Sequence, residues 1–210
     1  MQKNSISESV IRRLPKYYRF LSELEESGQE RTSSGELAGH LGFTASQIRQ
    51  DLGCFGEFGQ QGYGYNVTAL KKQLTAIIGL EEKRSAIIVG AGNLGKVIAA
   101  NIDFASFGFC LSGIFDIDRN ICGGEIAGFT VRHMDELPVF CGEKKPLVAV
   151  LCIPAEAAQE TAEQLISLGI KGFWNFSHCD LTADRDSIMV ENVHLGDSLM
   201  TLSYRMQKNI

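Results

Sequence analysis

Three features that would place the chain outside the cytoplasm are missing from its 210 residues. No stretch approaches the roughly 18 uninterrupted apolar residues of a membrane-spanning helix. The first residues, 1–9, are polar and lack the apolar core of a secretory signal. The six cysteines include no C-x-x-C pair, which argues against a structural zinc site and a disulfide scaffold. We therefore predict a protein of the reducing cytoplasm, with no membrane segment and no metal.

An excess of one charge is also missing, since the sequence has 20 Lys and Arg, 25 Asp and Glu, and a formal net charge of −5. Residues 1–84 hold 11 basic and 10 acidic residues, whereas residues 85–210 hold 9 and 15. This balance does not indicate a nucleic-acid-binding protein, but local patches rather than totals set the potential at a groove. The content of 44% apolar and 21% charged residues excludes general disorder, collagen and coiled coil.

The composition changes twice along the chain, which predicts domains at residues 1–80 and 85–194 and a C-terminal helix at 195–210. From Ser85 onward, apolar runs alternate with helical patterns, as they do in parallel α/β proteins. This part is therefore predicted to be an α/β Rossmann domain with a doubly wound parallel sheet. The predicted strands are 85–89, 109–115, 129–131, 147–153, 170–176 and 189–194, with helices at 94–104, 134–140 and 156–168.

A glycine-rich turn, G-A-G-N-L-G at Gly90–Gly95, joins the first of these strands to a helix, a context that predicts a dinucleotide site. Gly90 permits the tight turn, Gly92 lets the backbone approach a pyrophosphate, and Gly95 allows helix and strand to pack closely. Asp116 lies 21 residues after Gly95, at the end of the second strand. A carboxylate there accepts from a ribose 2′-hydroxyl and repels a 2′-phosphate, which favours NAD(H) over NADP(H).

The cofactor-binding residues that we predict are Gly90, Ala91, Gly92, Asn93, Leu94, Gly95, Asp116 and Pro154. Pro154 ends the strand on the other side of the expected crevice. Arg119 is a counter-argument to NAD(H) specificity, because a nearby cation can accommodate a 2′-phosphate. A glycine turn that binds another nucleotide, or no ligand, is the alternative.

Catalytic groups are scarce around this site. Of the four histidines, only His178, beside Cys179, follows a strand in the expected crevice. A dehydrogenase needs a proton donor or acceptor near the nicotinamide. We therefore predict no catalysis, and a site that holds NAD(H) without chemistry belongs to a sensor or is structural. An NAD-dependent oxidoreductase and a sensor of another nucleotide, such as a coenzyme A derivative, are the competing hypotheses.

The N-terminal segment contains two successive capping boxes, S-S-G-E at 33–36 and T-A-S-Q at 44–47. They predict two short helices joined by a turn at Gly42, which is typical of a helix-turn-helix. A stretch rich in glycine and aromatic residues at 53–65 predicts a β-hairpin wing, and 68–78 predicts a closing helix. These elements together predict a winged helix whose second helix enters the major groove of DNA. A winged helix used only for protein contact is the alternative.

Basic and polar side chains on these elements form the predicted surface for double-stranded DNA. Arg12, Lys16 and Arg19 share one helical face by their spacing, and the second helix of the pair presents polar side chains outward. The predicted DNA-binding residues are Arg12, Arg13, Lys16, Ser46, Gln47, Arg49, Gln50, Phe55, Gly59, Gln60, Gln61 and Tyr63.

Over essentially its full length, the sequence resembles the Rex family of bacterial redox-sensing transcriptional repressors. The resemblance implies a homodimer that binds palindromic operators of fermentation and respiration genes and leaves them when NADH replaces NAD⁺. It also implies a swapped C-terminal helix that packs between the two domains of the partner subunit. The stretches that carry the resemblance are R-R-L-P-K-Y-Y-R-F-L (12–21), S-Q-I-R-Q-D-L-G-C-F-G-E-F-G (46–59), G-Y-G-Y-N-V (62–67), G-A-G-N-L-G (90–95), F-D-I-D (115–118), I-P-A-E-A-A-Q (153–159), N-F (175–176) and E-N-V-H-L (191–195).

The end of the chain has the pattern of such a helix. Leu195, Leu199, Leu202 and Met206 form an apolar stripe at helical spacing, with Tyr204 on a flank. A helix with such a stripe must bury it. The pattern is consistent with packing of this helix on its own domain or on a partner subunit.

The sequence departs from the family in two groups of residues, one on the predicted DNA surface and one at positions linked to the cofactor response. Gln50 and Gln60–Gln61 stand where basic residues are usual, so we expect a shallow salt dependence of DNA binding. His194 and Asn101 stand where aspartate and tyrosine are usual. The resemblance implies that these two positions, with Arg19, tie the cofactor state to dimer geometry. We therefore expect an altered or pH-sensitive response to NADH.

Overall fold

The computed structural model describes residues 6–59, 63–184 and 186–208. The chain divides into two compact units, Met1–Glu81 and Glu82–Ile210. Within the described ranges, no helix is long and apolar enough to cross a membrane.

The N-terminal unit is helical with one small sheet. In its core, the helix Leu14–Glu26 packs on the three helices that follow it, and the side chains of Tyr17, Leu21, Ile48 and Leu74 are almost fully buried. The elements in chain order are α1 (Glu8–Ile11), α2 (Leu14–Glu26), β1 (Arg31–Thr32), α3 (Ser34–Leu41), α4 (Ala45–Gly53), β2 (Tyr65–Asn66) and α5 (Val67–Ile78).

The predicted helix-turn-helix is confirmed in α3 and α4. The Ser33 hydroxyl accepts from the Glu36 N–H, and the Thr44 hydroxyl accepts from the Gln47 N–H, so each helix begins at its predicted cap. Gly42 ends α3 in the left-handed conformation, with φ of 71°. The side chain of Glu36 does more than a capping box requires, because it accepts from Gln29 and Thr32.

The predicted wing is only partly correct. Residues 54–59 form no strand, and the strand that follows them, β2, pairs antiparallel with β1 rather than inside a hairpin. Phe55 and Phe58 are half-buried against the helical core, which draws this stretch onto α4. Gly64, with φ of 68°, lies so close to β1 that an added Cβ would be 2.4 Å from the Thr32 carbonyl oxygen. Contact with β1 therefore fixes the end of this stretch, whose middle, residues 60–62, lies outside the described residues.

The C-terminal unit contains a seven-stranded sheet in the order β5-β6-β4-β3-β7-β8-β9, parallel except for β5. All six predicted strands are present within a few residues of their predicted bounds. β5 is an addition that two residues could not signal by periodicity. The strands are β3 (Arg84–Val89), β4 (Phe109–Asp116), β5 (Glu125–Ile126), β6 (Phe129–His133), β7 (Val148–Leu151), β8 (Gly172–Asn175) and β9 (Met189–Asn192).

Helices connect these strands. The helix expected to reach residue 104 ends at Asn101, because Ile102 is extended, and a short 3-10 turn, Phe104–Phe107, follows. Gly169 follows the helix before β8 with φ of 99°, as a C′ glycine does. The helices are α6 (Asn93–Asn101), α7 (Leu137–Lys144) after the 3-10 turn Met134–Glu136, α8 (Ala155–Ser167) and α9 (Leu195–Lys208).

The strand order creates a switch point between β3 and β7. From β3 the chain builds outward through β4 and β6, and it then returns to add β7, β8 and β9 on the other side. Helices that leave adjacent strands in opposite directions open a crevice at the strands' carboxyl ends. The glycine turn after β3 and the loop after β7 meet at this crevice.

The terminal helix α9 is exposed along the length that the structure describes, and residues 195–207 are all exposed. The stripe is 52–66% exposed at Leu195, Leu199, Leu202 and Met206, so it does not pack on its own domain. At 100° per residue, Tyr204 lies opposite the stripe rather than on its flank. The helix therefore has apolar side chains on two faces.

Candidate functional site

The glycine turn after β3 is packed tightly on one side. Gly90 has φ of 99°, and an added Cβ would be 2.4 Å from the carbonyl oxygen of Cys152 at the end of β7. At Gly95 an added Cβ would be 1.9 Å from the Gly90 carbonyl oxygen. Only glycine fits these two positions, because backbone atoms occupy the space that a side chain needs.

The other side of the same turn is open. An added Cβ at Gly92 would meet no protein atom within 4 Å. Gly92 is the N-cap of α6 and has no side chain to accept from the first N–H groups of that helix. A pyrophosphate fits here, since unpaired N–H groups and the positive end of the helix dipole favour an anion.

Asp116 ends β4 beside this turn and is half-buried. Its Oδ2 accepts from the Ala91 N–H at 2.6 Å, and its Oδ1 accepts from the Asp118 N–H at 2.8 Å. The carboxylate therefore holds the glycine turn and keeps lone pairs for a ribose hydroxyl. Arg119 pairs with Asp135, at 3.2 Å, instead of turning toward Asp116. That pairing weakens the argument for a 2′-phosphate.

The loop after β7 forms the opposite wall of the crevice. The side chain of Ile153 lies 2.9 Å from the Cβ position of Gly90, and Pro154 follows as the exposed N-cap of α8. Burial raises the pKa of the Cys152 thiol to about 12. This thiol therefore stays protonated at neutral pH and is a poor nucleophile.

A buried polar network after β8 is a feature that periodicity could not find. Asn175 and Ser177 are 1% and 2% exposed. The Asn175 amide donates to the Cys179 carbonyl and to Asn192 Oδ1, at 2.6 and 2.8 Å, and its Oδ1 accepts from the Ser177 hydroxyl at 2.6 Å. The network fixes the carboxyl ends of β8 and β9 against each other. Its sequence signals were the N-F and E-N-V-H-L stretches of the family resemblance, which contain Asn175 and Asn192.

Two histidines, His178 and His194, follow β8 and β9. His194 Nε2 is 3.0 Å from Asp180 Oδ1, and the ring of His178 is 6.4 Å from the ring of His194. The hydrogen bond with Asp180 raises the pKa of His194. Cys179, next to His178, directs its thiol to the Asp180 carbonyl. Within residues 6–59, 63–184 and 186–208, no three His, Cys, Asp or Glu side chains are grouped to hold a metal ion.

The second helix of the helix-turn-helix, α4, presents the predicted polar face. Ser46, Arg49 and Gln50 are exposed and Gln47 is half-buried. Arg49 Nη1 donates to the hydroxyl of Ser34 at 2.9 Å, at the start of α3. A groove of about 640 Å³ lies between these helices and the glycine-rich stretch.

The basic residues before α4 have different partners. Arg12 caps α1 and pairs with Glu8 at 3.0 Å, and α2 begins only at Leu14. The Lys16 Nζ lies 5.3 Å from the Phe43 ring. Arg13 turns inward to Asp51 and its side chain is 16% exposed. The predicted DNA contact of Arg13 is at odds with this placement, because the guanidinium fork already donates to both carboxylate oxygens of Asp51.

The predicted wing residues have different environments. Phe55 is half-buried in the core, Gly59 is exposed, and Tyr63 is 69% exposed with the Arg31 guanidinium 6.0 Å from its ring. The half-buried ring of Phe55 argues against direct contact with DNA. Gln60 and Gln61 lie outside the described residues.

Comparisons with known proteins cover both units. One family profile, "Putative DNA-binding protein N-terminus", matches residues 5–53, and another, "CoA binding domain", matches residues 81–179. The redox-sensing transcriptional repressor Rex of Clostridium novyi (strain NT) is 48% identical over 203 residues, which is 97% of this chain and 96% of that protein.

Two solved structures have the same fold. The crystal structure of RSP in complex with beta-NAD⁺ and operator DNA aligns with a TM-score of 0.91 at 48% identity, covering 97% of this chain and 94% of that chain. The crystal structure of RSP in complex with beta-NADH aligns with a TM-score of 0.91 at 45% identity, covering 98% and 96%. The similarity therefore includes the arrangement of the strands and helices within each unit.

Proposed function

Because the chain belongs to the Rex family of redox-sensing transcriptional repressors, we propose that it binds operator DNA and releases it when NADH replaces NAD⁺. It is a regulator and not an enzyme. NAD(H) is its ligand and double-stranded DNA its partner, and a homodimer in the cytoplasm is its working form. The observation that carries the proposal is the open, uncapped turn at Gly92 beside Asp116, in one chain with the helix-turn-helix of α3 and α4.

We assign three parts to this function. Residues 1–80 form the DNA-binding domain, 85–194 the NAD(H)-binding domain, and 195–210 a helix exchanged with the partner subunit. The exchange is supported by the two apolar faces of α9, since a helix held between two domains is covered on both sides. Burial on a second copy also removes an exposed apolar surface that a monomer rarely tolerates.

Different cofactor-binding residues contact different parts of the ligand. The N–H groups that follow Gly92, at Asn93, Leu94 and Gly95, face the pyrophosphate, and Asp116 faces a ribose. Ile153 and Pro154 contact the nicotinamide half from the other side of the crevice. Gly90 and Ala91 act through the backbone, because the Ala91 N–H fixes the carboxylate of Asp116.

Sensing requires the crevice to treat the two coenzyme forms unequally. The nicotinamide is cationic in NAD⁺ and neutral in NADH, and the two forms share every other binding group. Apolar walls such as Ile153 disfavour an unpaired cation, since burying charge without a partner is costly. A difference of about 1–3 kcal/mol is enough for useful coupling to the DNA-binding domain.

On the DNA side, α4 enters the major groove with Ser46, Gln47, Arg49 and Gln50 toward the bases and phosphates. Arg49 and the hydroxyl of Ser34 together lie where a phosphate is expected. Further contacts with the sugar-phosphate backbone of DNA come from Arg12, Lys16, Gly59 and Tyr63. We propose the same role for Gln60 and Gln61. Arg13 and Phe55 contribute indirectly, through the packing of α4.

The function is tested by titrating NADH into the complex of the protein with a fluorescent operator fragment selected from a random-sequence DNA pool. We expect NADH to release the fragment and NAD⁺ to leave it bound. Coenzyme A in a parallel titration tests the alternative ligand that the match at residues 81–179 suggests. Release by coenzyme A alone, or turnover of NADH with small carbonyl substrates, would favour a competing function.

Release is expected to depend on pH through His194. Its raised pKa means that the charged pair with Asp180 is complete below the ordinary histidine pKa near 6.5 and is lost as the pH rises through the raised value. Loss of the imidazolium proton leaves the carboxylate of Asp180 unbalanced, with His178 and Asp197 the other titratable groups nearby. His194 follows β9 at the carboxyl edge of the parallel sheet, so a more negative charge there favours the cationic NAD⁺. We therefore expect a lower NADH to NAD⁺ ratio to release the operator at pH 6 than at pH 8.

The matched control for this pH effect is His194→Gln, which keeps a hydrogen-bonding side chain but does not titrate. In that variant the release curves at pH 6 and pH 8 should coincide. Identical curves for the unaltered protein at the two pH values would remove His194 from the switch.

Operator affinity is expected to fall only gently with salt. Among the predicted contacts, Arg13 is paired internally, and Gln50 carries no charge. Each phosphate contact contributes about −0.9 to the slope of log affinity against log salt concentration. We expect a slope much shallower than −9 when operator affinity is measured by fluorescence anisotropy at increasing potassium chloride concentrations. A slope near −9, which about ten contacts would give, would contradict the proposed contact set.

A further inference from the structure

An acidic side chain is buried on the inner face of the proposed recognition helix α4. Asp51 is 3% exposed and accepts three hydrogen bonds from α2 and the residue before it. Arg13 donates to both carboxylate oxygens, at 2.6 and 2.8 Å, and the Tyr17 hydroxyl donates at 2.5 Å. We call Arg13, Tyr17 and Asp51 the clamp.

The clamp is charged although it is buried. Burial raises the pKa of Asp51, but the hydrogen bonds from Arg13 and Tyr17 outweigh it and hold the pKa below its usual value. A buried carboxylate is tolerated only when its oxygens accept hydrogen bonds. The planar fork of an arginine donates to both oxygens at fixed angles. The bidentate geometry of Arg13 and Asp51 therefore opposes rotation of α4 about its axis.

Arg13 and Tyr17 also contact the other end of α4. Phe43 precedes the cap residue of α4, and its ring packs edge-on against Tyr17 at 6.0 Å. The guanidinium of Arg13 lies 5.9 Å from the Phe43 ring. Contacts at both ends of α4 fix its direction as well as its rotation about its axis.

We propose that Arg13, Tyr17 and Asp51 are positioning residues that orient α4 so that its outer face can read an operator. This inference rests on the proposed function. The outer residues Arg49 and Gln50 lie on the turn that carries Asp51, so a rotation of α4 at Asp51 moves them directly. An error of about 1 Å at such groups is enough to lose a base contact.

The proposal makes a prediction opposite to simple electrostatics. Asp51→Asn removes a negative charge and releases Arg13, so charge alone predicts tighter binding to DNA. Loss of the correct orientation of α4 predicts weaker operator binding instead. It also predicts a lower ratio of operator affinity to random-DNA affinity, because misaligned base contacts affect only the specific complex.

The experiment compares Asp51→Asn with Glu23→Gln, which removes one negative charge from an exposed site on α2 in the same unit. We expect operator affinity to fall at least tenfold in Asp51→Asn, and random-DNA affinity to stay the same or rise. In Glu23→Gln both affinities should stay the same or rise slightly. NADH affinity should be unchanged in both variants, which keeps a failure of the clamp separate from a failure of the proposed function.

A second variant, Tyr17→Phe, keeps the charge and nearly the shape of a side chain that is 1% exposed and cannot touch DNA. We expect a several-fold loss of operator affinity at an unchanged salt slope, with circular dichroism confirming the fold. If Asp51→Asn does not fold, Tyr17→Phe decides alone. Operator affinity and specificity equal to those of the unaltered protein in either folded variant would overturn the proposal.

Discussion

Replacing Gly92 with alanine is expected to weaken NADH binding at least tenfold while the protein remains folded. A methyl group at this position meets no protein atom within 4 Å, so it does not disturb the fold. It occupies the open space that we assign to the pyrophosphate, where the backbone must approach the ligand closely. The expected cost to stability is about 1 kcal/mol or less, because alanine is a poorer N-cap than glycine.

The measurement is the increase in NADH fluorescence on binding, with thermal unfolding recorded in parallel. Gly142→Ala is the matched control, because that glycine also has open space around it but lies on α7, away from the crevice. It should bind NADH as the unaltered protein does. Unchanged NADH affinity in Gly92→Ala would show that the ligand does not lie against this turn.

Gly95→Ala provides a contrast in mechanism. Its methyl group would lie 1.9 Å from the Gly90 carbonyl oxygen, and backbone must move to make room. We therefore expect lower thermal stability together with loss of NADH binding. Gly92→Ala thus tests how closely the ligand approaches the turn, whereas Gly95→Ala tests packing within the protein.

Leu199→Lys is expected to dissociate the homodimer and to lower operator affinity by about 100-fold or more. Leu199 is 66% exposed in the single chain, at the centre of the α9 stripe, and a charge there cannot be buried on a partner without a large cost. By symmetry the change occurs twice in the dimer. A monomer also loses the second half-site, whose effective concentration contributes about 10²–10⁴ in affinity.

Sedimentation velocity gives the oligomeric state, and fluorescence anisotropy gives operator affinity at the same protein concentration. Thr201→Lys is the control, since it adds the same charge to the same helix on the sector that Arg205 already occupies. It should remain dimeric and bind the operator normally. A dimeric Leu199→Lys variant with normal operator affinity would exclude α9 from the subunit interface.

Most of the fold could be predicted because its signals are local or periodic. The strands of the C-terminal unit are apolar runs, and α3 and α4 begin at side chains that cap their own helices. The glycine turn was predicted for the same reason, since Gly90 and Gly95 are required by backbone geometry within a few residues. The two-residue strand β5 and the pairing of β2 with β1 could not be predicted, because short strands carry no periodicity.

The sequence by itself determined which residue types lie at each site: the glycines of the turn, the carboxylate after β4, and the polar outer face of α4. The tertiary structure alone decided which partners they have. It turned Arg13 from the expected DNA surface to Asp51, 38 residues away, and joined Asn175 to Asn192, 17 residues away. The reason is physical: periodicity records whether a side chain is buried, whereas the choice of partner for a buried polar group depends on which elements pack together.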